Sequence, residues 1–351
     1  DDYYAFISGG FSGQLAVYGL PSGRLFKVIP VFSVDAEKAW GFNEETKPML
    51  NTSHGFIPWD DSHHPDISQT AGKLDGRYIY INANNTPRIA KIDLTTFETT
   101  EIIEIPNSAG NHSSSFVTEN TEYVVAGTRF SVPIPQRDMS IKDYKGNFKG
   151  SLSFLKVNPE NGGMSIKFQI LMPGFDYDKA HPGRGKSHGW MFFTTYNVEE
   201  GNTLLEVNAS QRDKDFIAAV NWKKIEEYVN NGGGTMMPTN YAHNVYDENT
   251  HMATSTMKKE VLTVNPLDVP GAVYLMPTPK SPHGCDVDPT GEYIVGSGKL
   301  SANLTVHSFT KMLAAIENKS FAGDAYGIPI IEFEASLAGV VEQPGLGPLH
   351  T

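Results

Sequence analysis

The 351-residue chain has a single cysteine, Cys285. One thiol rules out an internal disulfide, so packing alone must hold the fold, which the cytosol and the periplasm both permit. Basic runs are missing as well: 28 Lys and Arg stand against 40 Asp and Glu, a formal net charge of −12. Nucleic acid and anionic membrane surfaces both attract a basic footprint, so neither is expected as a partner. No apolar run reaches the ~20 residues of a membrane-spanning helix, so no membrane insertion is expected. The chain opens at Asp1-Asp2 with neither an initiator Met nor an apolar leader, and it stops at GLGPLHT without tail composition. The expectation is a processed or trimmed chain.

Strand signals dominate. The runs YIYIN (78–82), YVVAGTRF (123–130), SLSFLKVN (151–158), WMFFTTYN (190–197), FIAAVNW (216–222), YIVGSG (293–298) and LTVHSF (304–309) are short and rich in β-branched and aromatic residues. Gly, Pro, Asn or Asp bounds each one. With 33 Gly, 22 Pro and 39% hydrophobic residues, the chain reads as ordered, with a core large enough for one big domain or two ordinary ones. Helix patterns are scarce. WKKIEEYVNN (222–231) runs into three glycines that would stop it, and KMLAAIENK (311–319) is a second short candidate.

A repeat organises these strands. Asp75-Gly76-Arg77-Tyr78 is echoed by Thr290-Gly291-Glu292-Tyr293 and, more loosely, by Asn120-Thr121-Glu122-Tyr123. Each is a polar turn leading into a Tyr-led strand. Short antiparallel strands recurring at intervals of tens of residues point to an all-β fold of the β-propeller class, with a β-sandwich as the competing architecture.

The histidines fall in phase with this repeat. His64 lies fourteen residues before Tyr78, His112 eleven before Tyr123 and His283 ten before Tyr293, and His350 stands where a further repeat would begin. Equivalent positions on successive blades of a propeller approach its axis, so His63, His64, His112, His283 and His350 are expected to form a ring of imidazoles. Histidine is the commonest transition-metal side chain, and imidazoles with few thiols favour copper, zinc or iron over calcium or magnesium. His63 and His64 are adjacent and would face opposite ways on a regular strand. Pro65 is expected to hold them in a bent, non-ladder entry loop, which need not obey strand alternation. His54, His181, His243, His251 and His307 read as packed or surface residues, as does His188 at a strand start.

The segments DDSHHPDISQTAGKLDGRYIYIN, PTPKSPHGCDVDPTGEYIVGSGKLS and GLGPLHT resemble the N-terminal propeller of nitrous oxide reductases, closest to the divergent Sec-type branch of that family. The resemblance runs from about residue 35 to the end. It implies a periplasmic homodimer that reduces N2O to N2 and water with two electrons and two protons, the last step of denitrification. A seven-bladed propeller would hold a sulfide-bridged four-copper cluster, CuZ, through seven histidines. A C-terminal cupredoxin domain would carry a two-copper centre, CuA, supplied by a small donor such as a c-type cytochrome or cupredoxin. Residues 1–351 would then be a truncated propeller without the cupredoxin domain, inactive alone.

Matched by motif, His63, His64, His112, His283 and His350 would ligate copper, with His112 departing from the family's usual His-Gly continuation. Asp61, Asp176 and Asp178 are candidates to orient imidazoles or relay protons. The resemblance also implies a calcium site at Tyr196, Glu199 and Asp215, with Ser281 where the family commonly has an Asn. The competing functions are a non-catalytic propeller serving as a binding platform and a propeller hydrolase with central calcium. The latter would need carboxylates where this sequence has imidazoles.

Overall fold

The structure is a computed structural model and describes residues 1–198, 215–342, 345 and 347. It divides into two compact units. Unit 1 comprises residues 1–126, 153–167 and 237–261, and unit 2 comprises residues 127–152, 168–236 and 262–351.

Unit 1 opens with a three-stranded antiparallel sheet, Tyr3–Ser8, Gln14–Leu20 and Leu25–Pro30. A four-stranded meander follows: Ser62–Thr70, Lys73–Ala83, Arg88–Asp93 and Glu98–Glu104. Its alternation explains the YIYIN run. Ile79 and Ile81 pair with Ile92 and Ala90 and enter one apolar cluster with Leu15, Ile29, Phe32 and Leu50. Tyr78 and Tyr80 point the other way, into a second cluster with Ile103, Val124, Leu155 and Val261. Successive side chains alternate between faces, and here both faces are buried, so the strand reads as nearly continuous apolar sequence. A sheet packed on both faces is what a blade requires.

Unit 2 repeats the meander. Phe175–Pro182, Trp190–Val198, Phe216–Asn221 and Val273–Pro277 are neighbours in order. Cys285–Val287, Tyr293–Gly296, Leu304–Ser308 and Leu337–Val341 form another four-stranded sheet. Both expected helices are present, at Trp222–Asn230 and Phe309–Glu317. Asn221 caps the first by accepting from Lys224 N and Ser308 caps the second by accepting from Lys311 N. Each buries an apolar stripe, Trp222, Ile225 and Val229 in one and Phe309, Met312 and Ala315 in the other.

The fold is thus all-β and of the propeller class, an array of antiparallel meanders. The repeated turns share one backbone feature. Gly76, Gly291 and Thr121 occupy the same position and have φ of 67°, 74° and 53°. Glycine enters this left-handed region freely, whereas Thr121 is held there by its side chain. Its hydroxyl donates to Gln69 O at 2.8 Å and accepts from Gln69 N at 2.6 Å. In all three copies the Tyr N–H that follows is met by a side-chain oxygen: Ser68 for Tyr78, Thr118 for Tyr123 and Asp288 for Tyr293.

Candidate metal centre

In unit 1 the first histidine pair lies on the strand Ser62–Thr70, not in a loop as expected. Its pairing with Lys73–Ala83 slips between Ser62 and Pro65. A bulge at this point breaks the two-residue alternation that would otherwise send neighbouring side chains to opposite faces. The rings of His63 and His64 therefore come within 4.4 Å, centroid to centroid. His112, immediately before the strand Ser113–Val117, brings its ring to 4.7 Å from His63 and 4.8 Å from His64. One ligand atom from each of the three lies within 4.8 Å of the others.

Hydrogen bonds hold this cluster in place. His64 Nδ1 is 2.9 Å from the His112 carbonyl oxygen. A carbonyl only accepts, so Nδ1 carries the proton and Nε2 keeps its lone pair for a metal. His64 N donates to Asn82 Oδ1 at 2.7 Å, and Asn82 Nδ2 donates in turn to Asn111 O. Ser115 Oγ donates to His64 O, and Val117 N donates to Asp66 Oδ2 at 2.8 Å. The histidine strand, the Tyr-led strand and the His112 segment are thereby tied together. His112 is buried, whereas the His63 side chain is 32% exposed.

Asp61 approaches His63 Nδ1 at 3.7 Å, an electrostatic contact longer than a hydrogen bond, and its Oδ2 accepts from Asn84 Nδ2 at 3.1 Å. Asp60 anchors the same segment. It accepts from the backbone N–H groups of Asp61, Asn85 and Thr86 and pairs with the wholly buried Arg88 at 3.3 Å.

In unit 2, His283 Nδ1 meets Asp178 Oδ2 at 2.6 Å, and Asp178 is only 1% exposed. A buried carboxylate on Nδ1 fixes the tautomer that presents Nε2, the arrangement by which proteins orient a metal-binding imidazole. The His283 carbonyl oxygen accepts from Lys179 N at 3.1 Å and from Thr194 Oγ1 at 3.0 Å. Asp176 is buried on the same strand. Two residues beyond His283, Cys285 is fully buried and its thiol is pushed up to about 12 by that burial, so it stays protonated at neutral pH. Imidazoles, not thiolates, are therefore the transition-metal donors on offer here.

For the expected calcium ligands, Asp215 Oδ1 accepts from Ser281 N at 2.8 Å, and burial raises its pKa despite that bond and the nearby Lys280. Tyr196 lies on the strand Trp190–Val198. Glu199 and His350 lie outside the described residues.

Three of the histidines read as packed or surface residues have ring partners of their own. His243 Nε2 meets Glu101 at 2.6 Å, His307 Nδ1 meets Ser336 Oγ at 3.0 Å and His181 Nδ1 meets Pro182 O at 2.8 Å. The sequence reading missed Asn82, Asn111, Ser115 and the Asp60–Arg88 pair. Asn111, next to His112, and Asp60, which opens the DDSHHP segment, sit where a motif could have drawn attention to them.

No family model matches the chain. Individual proteins do. The chain is 29% identical over 356 residues to nitrous-oxide reductase of Stutzerimonas stutzeri, and 30% identical over 356 residues to that of Pseudomonas fluorescens. In each case the match covers 100% of this chain and 50% of the relative. The enzyme of the same name from Cupriavidus necator is 29% identical over 367 residues, covering 100% and 51%.

The chain is a relative of the nitrous-oxide reductases.

It spans about half the length of the nitrous-oxide reductases it matches. Among solved structures, hydrazine synthase of Kuenenia stuttgartiensis aligns with a TM-score of 0.56 at 14% identity, covering 99% of this chain and 73% of that one. That likeness concerns the fold alone. No helix among the described residues is long and apolar enough to cross a membrane.

Proposed function

We propose that this chain is the copper-holding propeller portion of a nitrous-oxide reductase, with His63, His64, His112, His283 and His350 as copper ligands. The balanced reaction takes N2O, two protons and two electrons to N2 and water. N2O is a poor and inert ligand, and the histidines would hold a multi-copper sulfide cluster whose chemistry would be to supply two electrons together. The residues of the chain fix neutral imidazoles in position. The His112 carbonyl accepts a hydrogen bond from His64 Nδ1–H, and Asp178 accepts one from His283 Nδ1–H, so both rings offer Nε2. Asp61 lends negative charge beside His63, and Asp176 is a further candidate for orienting a ring or passing a proton.

The observation that carries this reading is the meeting of three imidazoles, from positions 63, 64 and 112, with ring centroids 4.4–4.8 Å apart. Such a donor set fits copper and has no thiolate competitor. The same reading includes calcium at Tyr196, Glu199 and Asp215, a CuA-bearing cupredoxin domain beyond residue 351, a homodimer, a periplasmic location and a cytochrome or cupredoxin donor.

The test is metal analysis and N2O turnover in the protein carrying its C-terminal half, expressed with copper. The wild type is expected to hold copper and reduce N2O, and replacing both His63 and His64 with Ala abolishes turnover. Retained reduction in that double variant, or a wild type without copper, would overturn the proposal.

A further inference from the structure

Where the histidine strand bulges, two of its residues stand opposite one. Ser62 pairs with Ala83 and Pro65 with Ile81, so His63 and His64 together face Asn82. A bulge disrupts the ladder locally, and the backbone groups it displaces must find other partners. Asn82 supplies one. It is wholly buried, and its Oδ1 accepts from His64 N at 2.7 Å. The other end of the same amide, Nδ2, donates to Asn111 O, beside His112. A donor to meet at one end and an acceptor at the other leave the amide a single orientation.

Ser115 supplies the second partner. It lies three residues beyond His112 on the strand Ser113–Val117, and its hydroxyl donates to His64 O. Ser115 is buried with φ of 60°, a left-handed conformation that a residue with a Cβ enters at a steric cost. Glycine would take that backbone freely but would bring no hydroxyl. The His64 main chain is thus gripped on both sides by groups that belong to the His112 segment or are bonded to it.

The consequence falls on the ring. His64 Nδ1 lies 2.9 Å from the His112 carbonyl oxygen, and this bond is what fixes the proton on Nδ1 instead of Nε2. It spans the same two segments, so it forms only if they are held at this spacing. We propose that Asn82 and Ser115 are positioning residues for the imidazole cluster: by tying the His64 N–H and carbonyl to the His112 segment, they keep His64 Nδ1–H directed at the His112 carbonyl and Nε2 presented to copper. The presentation to copper rests on the function proposed above, whereas the orientation of the ring does not.

The test is a two-bond ¹⁵N–¹H correlation spectrum of the copper-free protein at about pH 8, above the usual histidine pKa of ~6.5, where the nitrogen shifts show which ring atom carries the proton. His64→Gln identifies the His64 signals. Wild type is expected to show the Nδ1–H form at His64. Asn82→Asp keeps the acceptor but loses the donor to Asn111 O, and Ser115→Gly loses the hydroxyl while releasing the strained backbone. In both variants His64 is expected to shift toward the Nε2–H form, and copper affinity in a chelator competition to fall by about 10–100-fold. Ser115→Gly keeps a urea midpoint near that of wild type, so a damaged fold does not account for its effect. A His64 spectrum unchanged in either variant would overturn the proposal, whether or not copper binds. A wild type that takes up no copper would strike the copper reading instead, and the metal-free spectra would still decide what Asn82 and Ser115 do.

Discussion

Arg88 has no solvent exposure, and its guanidinium is paired with Asp60, which gathers three backbone N–H groups just ahead of the histidine pair. Removing one partner of a buried pair leaves an uncompensated charge, which typically costs about 3–5 kcal/mol. Asp60→Ala should therefore lower the unfolding free energy by that amount in a urea titration, and a loss below about 1 kcal/mol would contradict the assigned role. Asp178 acts on a ring instead of on the fold. Asp178→Asn should leave the urea midpoint nearly unchanged but weaken copper binding by about 10–100-fold in a chelator competition. Equal affinity would mean that His283 needs no such orientation. At this scale the sequence was legible only where a motif repeated. HHP and PHG announced themselves, whereas Asp60 and Arg88 are single common residues whose pairing depends on a register that local pattern does not encode.

Among the elements, strands were legible because both faces of the blades are buried. YIYIN falls within Lys73–Ala83, and WMFFTTYN within Trp190–Val198. The hairpin Thr235–Asp247 and Met252–Val264 went unread because much of it is exposed, so its sequence is polar and carries no apolar period. The histidine pair was expected in a loop, yet a bulged strand achieves the same convergence. Turn chemistry allows a sharper test. A Cβ at Gly291 would fall on the carbonyl oxygen of Arg184, whereas one at Gly76 meets nothing within 4 Å, although both glycines have positive φ. Gly76→Ala should cost about 1 kcal/mol, the backbone penalty alone, and Gly291→Ala clearly more, read from urea midpoints. Equal losses would refute the close approach.

For the molecule as a whole, the propeller class could be read from the echoed turns, but the division into two units could not, since unit 1 is assembled from three separate stretches of chain. Stability of the molecule should depend on pH through buried histidine. His307 has no exposure, and burial pulls its pKa from 6.5 to about 4. The unfolded chain thus binds the proton more readily between those values. The contribution is complete above about pH 6.5 and is lost as pH falls toward 4, up to about 3 kcal/mol at 1.36 kcal/mol per pK unit. His181, brought to about 4 by burial and Arg184, acts in the same window. Urea unfolding at a series of pH values should show this acid loss, with a shallower slope in His307→Asn. An identical slope in that variant would assign the loss to other groups.

The central claim is that His63, His64 and His112 hold copper through imidazole nitrogen. The copper K-edge X-ray absorption spectrum of the copper-loaded protein tests it most directly. The account predicts the multiple-scattering signature of imidazole rings on copper, reduced when His63 and His64 are both changed to Ala. A spectrum without imidazole scattering, or one unaltered in that variant, would contradict it.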